Sequence, residues 1–300
     1  MSLLGFLDRS RPAEEATSAT LSDALEGFSI EVMPRTAAKI ESFADLLPRG
    51  TRVYIAHIEG TSLDDMVATA RRLTDEGMAV MPHFPARGIK DAAELEEWIL
   101  RYRNEAGAEQ ALLLAGGIAK TAGTLTSSMD MMETGLFDKH GFKRLHVAGH
   151  PEGNKDIDAD GSTRLVDEAL IWKQGFSEKT DAEMAIATQF VFEAQPIIDW
   201  ANRIRAAGVE LPIHVGIAGP AKLQTMIKFA MACGVGPSLK VLQKRAMDLT
   251  KLMLPYEPTE VAQGLADHMA ANPDSLIQKL HIFPLGGIKA SVDWVDRHTE

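Results

Sequence analysis

The chain has almost nothing with which to cross-link itself. One cysteine, Cys233, in 300 residues excludes an intrachain disulfide framework and a thiolate metal cluster. It reads most simply as a small buried hydrophobe in a reducing compartment. Positive charge is also scarce. With 31 Lys and Arg against 42 Asp and Glu, the formal net charge is −11 and the pI is near 5.3, a balance that repels a phosphate backbone and argues against a nucleic-acid partner. Long apolar runs are missing: the patch in MSLLGFLDRSRP is broken by Asp8 and Arg9, too short for a signal core or a membrane span. A cytoplasmic protein with no membrane partner is expected. Without a G-x-G-x-x-G or Walker pattern, Rossmann and P-loop nucleotide sites are unsupported, and without His-x-His or His-Glu-x-x-His no metal motif is recognisable. No Pro/Gly/Ser-rich linker, low-complexity tract or short repeat divides the chain, which predicts one domain.

What is present is ordinary globular material, 45% hydrophobic and 24% charged. Eight short apolar, β-branched runs recur from Phe28 onward: 28–32, 52–58, 78–84, 111–116, 144–149, 185–192, 211–217 and 279–285. Between them lie stretches of helical period. Ser62 precedes Asp65 in a capping-box pattern, followed by Leu63, Met66, Val67, Ala70 and Leu73 and a stop at Gly77. Asp91 and Glu94 open a second, with Leu95, Trp98, Ile99 and Tyr102 on one stripe ending at Gly107, and Ile197, Ala201 and Ile204 form a third that Gly208 closes. Strands this apolar are buried on both faces, the signature of a parallel sheet under crossover helices. Eight of them predict a closed (β/α)8 TIM barrel, which takes about 250 residues, with a doubly wound open sheet as the alternative. The expected layout is an N-terminal arm or short capping helix over 1–26, a single catalytic barrel over 27–300 and an extra helical pair at roughly 236–271, between strands 7 and 8. The Met, Leu and Val content of 236–254 suits a partner-facing helix in a homo-oligomer and core packing equally well.

In such a barrel the C-terminal strand ends build the active site. There the sequence places Glu31, His57 with Glu59, His83, Gly116-Gly117, the His150-Pro151-Glu152 turn, Gln189, and His214 with Gly216. Glu31, between Ile30 and Val32, is the leading acid candidate, since a desolvated carboxyl retains its proton for delivery to a substrate heteroatom; a buried ion pair is the structural alternative. The rim histidines leave a metal-assisted hydrolase or a lyase as a second class. Asp156, Asp158, Asp160 and Gly161 match the start of a calcium loop, but Arg164 and Asp167 stand at its ninth and twelfth positions, so an acidic turn capping the next helix is the simpler reading. The turns GIAGPAK and LGGIK suit either a phosphate cradle or tight packing.

FSIEVMPR at 28–35, MPHF at 81–84, VAGHPEGN at 147–154, KTDAEMAIATQFVF at 179–192 and GVELPIHVGIAGP at 208–220 occur in an order that resembles the methylenetetrahydrofolate reductases. That resemblance implies a flavin-dependent barrel interconverting methylenetetrahydrofolate and methyltetrahydrofolate by hydride transfer, with FAD and NADH or NADPH. It places the proton donor at Glu31 and the folate-reading amide at Gln189; Phe192 and Glu59 are further substrate-binding candidates by position. The same resemblance places the cofactor against His83, the His150-Pro151-Glu152 turn and Lys179, the last after a one-residue shift; His57, Gly116 and Gly117, at the same strand ends, are further cofactor-binding candidates by position. Two departures stand out. Where the family carries Leu-Arg-Gly-Asp after strand four this chain has Leu114-Ala115-Gly116-Gly117, and the family's Leu-Asn-Arg after strand eight is Leu285-Gly286-Gly287. Glu59 and Glu152 are the carboxylates available to replace the lost aspartate. Direct hydride transfer from nicotinamide without flavin, and a non-catalytic folate-binding protein, are the readings those departures open.

Overall fold

In a computed structural model, which describes residues 20–232 and 255–299, the apolar runs become β1 (Ser29–Val32), β2 (Arg52–Ile55), β3 (Ala79–Pro85), β4 (Gln110–Leu114), β5 (Arg144–Gly149), β6 (Glu183–Val191), β7 (Ile213–Ala218) and β8 (Ile277–Phe283). They pair in sequence order, and β8 returns to β1 to close an all-parallel barrel. Side chains alternate across each strand. One parity, including Ile30, Val32, Val53, Ile55, Val80 and Phe84, meets the helices in the main core. The other parity points into the barrel, where Tyr54, Met81, Leu112 and Ala187 form a small separate cluster.

The expected helices form for the expected reasons. Leu63–Asp75 is capped by Ser62, whose hydroxyl accepts from the Asp65 N–H, and it buries Met66, Val67, Ala70 and Leu73. Ala92–Ala106 is capped by Asp91, buries Leu95, Trp98, Ile99 and Tyr102, and ends at Gly107 with φ 62°, the left-handed conformation glycine adopts freely. Ala194–Ala206 buries Ile197, Ala201 and Ile204. The acidic turn folds as a cap: the Asp158 carboxylate accepts from the Leu165 and Val166 N–H groups at the start of helix Arg164–Ser177.

One boundary differs from the sequence reading, and two expected elements are seen in part. Residues 20–25 of the expected arm are helical and pack Leu21, Ala24 and Leu25 into the main core; residues before 20 lie outside the described part. β2 ends at Ile55, so His57 sits in the loop beyond it. Of the extra pair between β7 and β8, helix Thr259–Ala271 is observed, whereas 236–254, with the partner-facing reading attached to it, lies outside the described residues, as does Cys233. Among the described residues, no helix is long and apolar enough to cross a membrane.

Candidate functional site

At the C-terminal ends of the strands a cavity of about 340 Å³ opens between Glu31, Tyr54, His83, Leu112, Gly116, Gly117, His150, Gln189, His281 and Phe283. Strand parity assembles it. Glu31, Tyr54, His83, His281 and Phe283 all stand on the inward face, so the residues flanking Glu31 in sequence are not its neighbours in space: Ile30 and Val32 belong to the outer core. The Glu31 carboxylate lies 3.3 Å from His83 Nε2, with 19% and 11% of their side chains exposed. The distance is that of an ion pair, but the angle is poor, and His83 Nε2 makes no hydrogen bond. The expected basic partner of Glu31 is thus a histidine from β3.

Gln189 reaches the cavity through a break in the sheet. The β6–β7 register shifts between Ala187 and Phe190, a bulge that re-aims a side chain. The Thr188 hydroxyl fills the gap in the ladder, accepting from the Gly216 N–H at 2.9 Å and donating to the Gln189 carbonyl at 2.8 Å. Gly216 is required there because a Cβ would collide with the Thr188 and Gln189 carbonyl oxygens and Phe283.

A second cavity of about 560 Å³ adjoins the first and shares Arg87, Leu114, Ala115, Ala148, His150, Asp156 and Ile157 with it. Its floor holds Lys173, buried at 6% exposure, whose ammonium has one long bond of 3.4 Å, to the Ala148 carbonyl. Burial lowers this lysine to about 8. His150 beside it is lowered to about 4 by burial and then by the Lys173 charge, and its Nδ1 is buried without a partner. An ammonium with one long bond and an unpartnered imidazole nitrogen on one cavity suit an anionic group, with Arg87 as a further cation on the wall.

Five expected site residues do not line the cavity. Lys179 is exposed beyond the end of helix Arg164–Ser177; the lysine that reaches the cavity is Lys173, within the helix. Glu59 is exposed and lines a separate hollow between β1 and helix Leu63–Asp75. His57 stacks on Trp98 at 5.0 Å, outside the barrel mouth, and its Nε2 meets the Thr61 carbonyl at 3.1 Å. Phe192 packs with Phe190 and Tyr256 in a small neighbouring cluster. Glu152 belongs to the turn beside His150 but does not line the cavity; Asp156 is the carboxylate that does. The glycines after β7 and β8 serve packing, since a Cβ on Gly286 would run into the Pro220 carbonyl and one on Gly219 into Ser291.

Arg87, Lys173, Tyr54, His146 and His281 were not among the expected residues. A signal for Lys173 exists: it falls on the stripe of Val166 and Leu170 that its helix buries, where a lysine is out of place. Of the histidines expected at the rim, His83 and His150 line the cavity, whereas His214 is buried inside the barrel with His146 and His281 and His57 lies outside the mouth. Among the described residues no group of three or more His, Cys, Asp or Glu side chains is arranged to hold a metal ion.

No family model matches the sequence. Among solved structures, the chain is similar to an uncharacterised protein from Clostridium thermocellum described as binding two copies of 5-methyl-5,6,7,8-tetrahydrofolic acid. The two share 13% identity and a TM-score of 0.62 over 93% of this chain and 98% of that one. At that identity the likeness establishes the architecture, a (β/α)8 barrel along nearly the whole of both chains.

Proposed function

We propose that the protein binds a reduced folate in the central cavity and interconverts methylenetetrahydrofolate and methyltetrahydrofolate by hydride transfer. The observation that carries this reading is the convergence of Glu31, His83 and Gln189 on one cavity at the strand ends. The folate bound by the structurally similar barrel supports the ligand class. Glu31 delivers the proton that opens the folate's five-membered ring, with His83 3.3 Å away beside it. The Gln189 amide donates and accepts at once, which matches the mixed edge of a pterin without adding charge.

The adjoining cavity fits the anionic part of a dinucleotide cofactor such as FAD. Lys173 and Arg87 face it, supplying from helix Arg164–Ser177 and the β3 turn the cation that Ala115-Gly116-Gly117 do not. The bare backbone of Gly116 and Gly117 leaves room for a flat ring above them. A bound flavin supplies the hydride, drawn from NADH or NADPH; in the flavin-free variant of this reading the nicotinamide itself occupies that place. Folate binding without turnover is the second reading, favoured by the absence of any charged side chain on the β4 loop at 115–117.

Anaerobic turnover of methylenetetrahydrofolate with NADH or NADPH, with and without added FAD, tests the proposal. Wild type is expected to form methyltetrahydrofolate and Glu31→Gln to lose that activity while still binding folate. Equal turnover by Glu31→Gln would remove the acid role, and folate binding with no turnover under any donor would favour the second reading.

A further inference from the structure

Among the described residues Lys173 is the one lysine that folding hides. It stands on the face that helix Arg164–Ser177 buries, with Val166 and Leu170. Its nitrogen reaches a single acceptor, the Ala148 carbonyl at 3.4 Å, which is longer than an ordinary N–H···O bond. Glu168, on the wall of the same cavity, is taken by Arg164 at 3.0 Å. No acidic side chain acts on Lys173, whose lowering to about 8 comes from burial alone. An ammonium has three donors to satisfy, and a site that offers one long bond favours the uncharged form. At pH 7 roughly one molecule in ten then carries the free amine, which is the nucleophilic form of lysine.

The amine lies on the cavity of about 560 Å³, where Leu114, Ile157, Leu165, Ala169 and Trp172 give it a largely apolar wall with room for a ring. His150 lines the same cavity, and its Nδ1 is buried without a partner. Burial keeps this imidazole neutral, so in the tautomer protonated on Nε2 its Nδ1 lone pair is open to a proton from a nearby amine. Two further charges face the space. Arg87 makes one bond of 3.4 Å, from Nε to the Thr126 carbonyl, and forms no ion pair among the described residues, so its guanidinium is available to an anionic substituent. Asp156 stands on the same wall and matches a basic ring nitrogen.

We propose that Lys173 captures an aldehyde in the second cavity as an imine, and that the site takes a flat heteroaromatic aldehyde carrying an anionic group. The amine lone pair forms the new C–N bond while the carbonyl π pair moves onto oxygen. His150 Nδ1 takes one amine proton and returns it to that oxygen, which gives a carbinolamine. The nitrogen lone pair then expels the hydroxyl, which departs as water with the second amine proton and leaves the imine. Amine and aldehyde thus become imine and water, with nothing oxidised or reduced. The site goes beyond the folate reading and does not rest on it. Because both use Arg87, a captured aldehyde and a dinucleotide cofactor exclude each other.

The test adds pyridoxal 5′-phosphate, a heteroaromatic aldehyde with an anionic group, to the full chain at one equivalent, reduces with borohydride and maps the adduct by peptide mass. The expected result is a reduced adduct on Lys173, with each exposed lysine labelled roughly tenfold less or lower still. The rate at Lys173 is expected to rise about tenfold from pH 7 to 9 and then level, whereas an ordinary lysine continues to gain up to its higher value. Lys173→Met is expected to lose the visible absorbance of the imine. Pyridoxal, which lacks the phosphate, is expected to label Lys173 about tenfold less. Adducts spread over exposed lysines with Lys173 unmodified, or a Lys173 rate that climbs without levelling, would overturn the proposal, and equal labelling by pyridoxal would overturn the choice of an anionic aldehyde. The mapping is done on wild type, so it does not depend on a variant folding. No folate enters the assay, so its failure leaves the folate reading standing.

Discussion

At Thr188 one hydroxyl completes a broken ladder, and its replacement isolates what positions Gln189. Thr188→Val keeps the shape but leaves the buried Gly216 N–H without its acceptor, which costs about 1–3 kcal/mol. Denaturant unfolding checks the stability loss, and folate affinity is expected to fall in parallel as the bulge relaxes; undiminished stability would mean the ladder closes without Thr188. Lys173 poses the opposite case, a residue whose burial is unfavourable to the free protein. Its folded value of about 8 lies below its usual 10.5, so at pH 7 holding it charged costs about 3 kcal/mol. Between those two values the unfolded chain binds more protons, so wild-type stability rises with pH across that window. Lys173→Met is expected to melt several degrees higher, to lose that pH dependence, and to bind FAD or NADH more weakly. A variant that melts lower would show that the ammonium is satisfied in the free protein.

Among elements, helix ends were the most legible part of the sequence because capping is local chemistry. Ser62, Asp91, Gly107 and the Asp158 cap all act within a few residues of where they are read. Asp91→Ala, which removes the acceptor for the Ala93 and Glu94 N–H groups, is expected to cost about 1 kcal/mol, measurable as a midpoint shift with an unchanged denaturant slope. Strand order was legible from the eight apolar runs, and Glu31 and Gln189 from polar residues set among them. What depends on parity and on packing between distant elements was not. Glu31 was read against Ile30 and Val32, yet its neighbour is His83, 52 positions away in the chain and 3.3 Å away in space. Lys179 was chosen by motif alignment, but the turn of the helix delivers Lys173 instead. Tyr54, His146 and His281 meet only when β2, β5 and β8 close around one axis.

For the molecule as a whole, three neutral histidines inside one barrel set the acid limit of stability. Each has a folded value below the ordinary 6.5, so between these values the unfolded chain takes up protons that the folded chain refuses. Stability is full above about pH 6.5 and falls as the pH drops below it, by about 1.4 kcal/mol per pH unit for each histidine at most. Acid unfolding near pH 5 is therefore expected to be steep and to be moved to lower pH by His214→Gln, since the Nδ1 of His214 is buried without a partner; equilibrium unfolding as a function of pH checks this, and an unshifted transition would assign the acid limit to the carboxylates. Every functional assignment in the central cavity rests on a reduced folate occupying it, a claim that calorimetric titration of 5-methyltetrahydrofolate tests most directly. It predicts saturable binding that Glu31→Gln preserves and Gln189→Ala weakens about tenfold, the loss of a hydrogen-bonded edge. Absence of binding, or binding indifferent to Gln189→Ala, would contradict it.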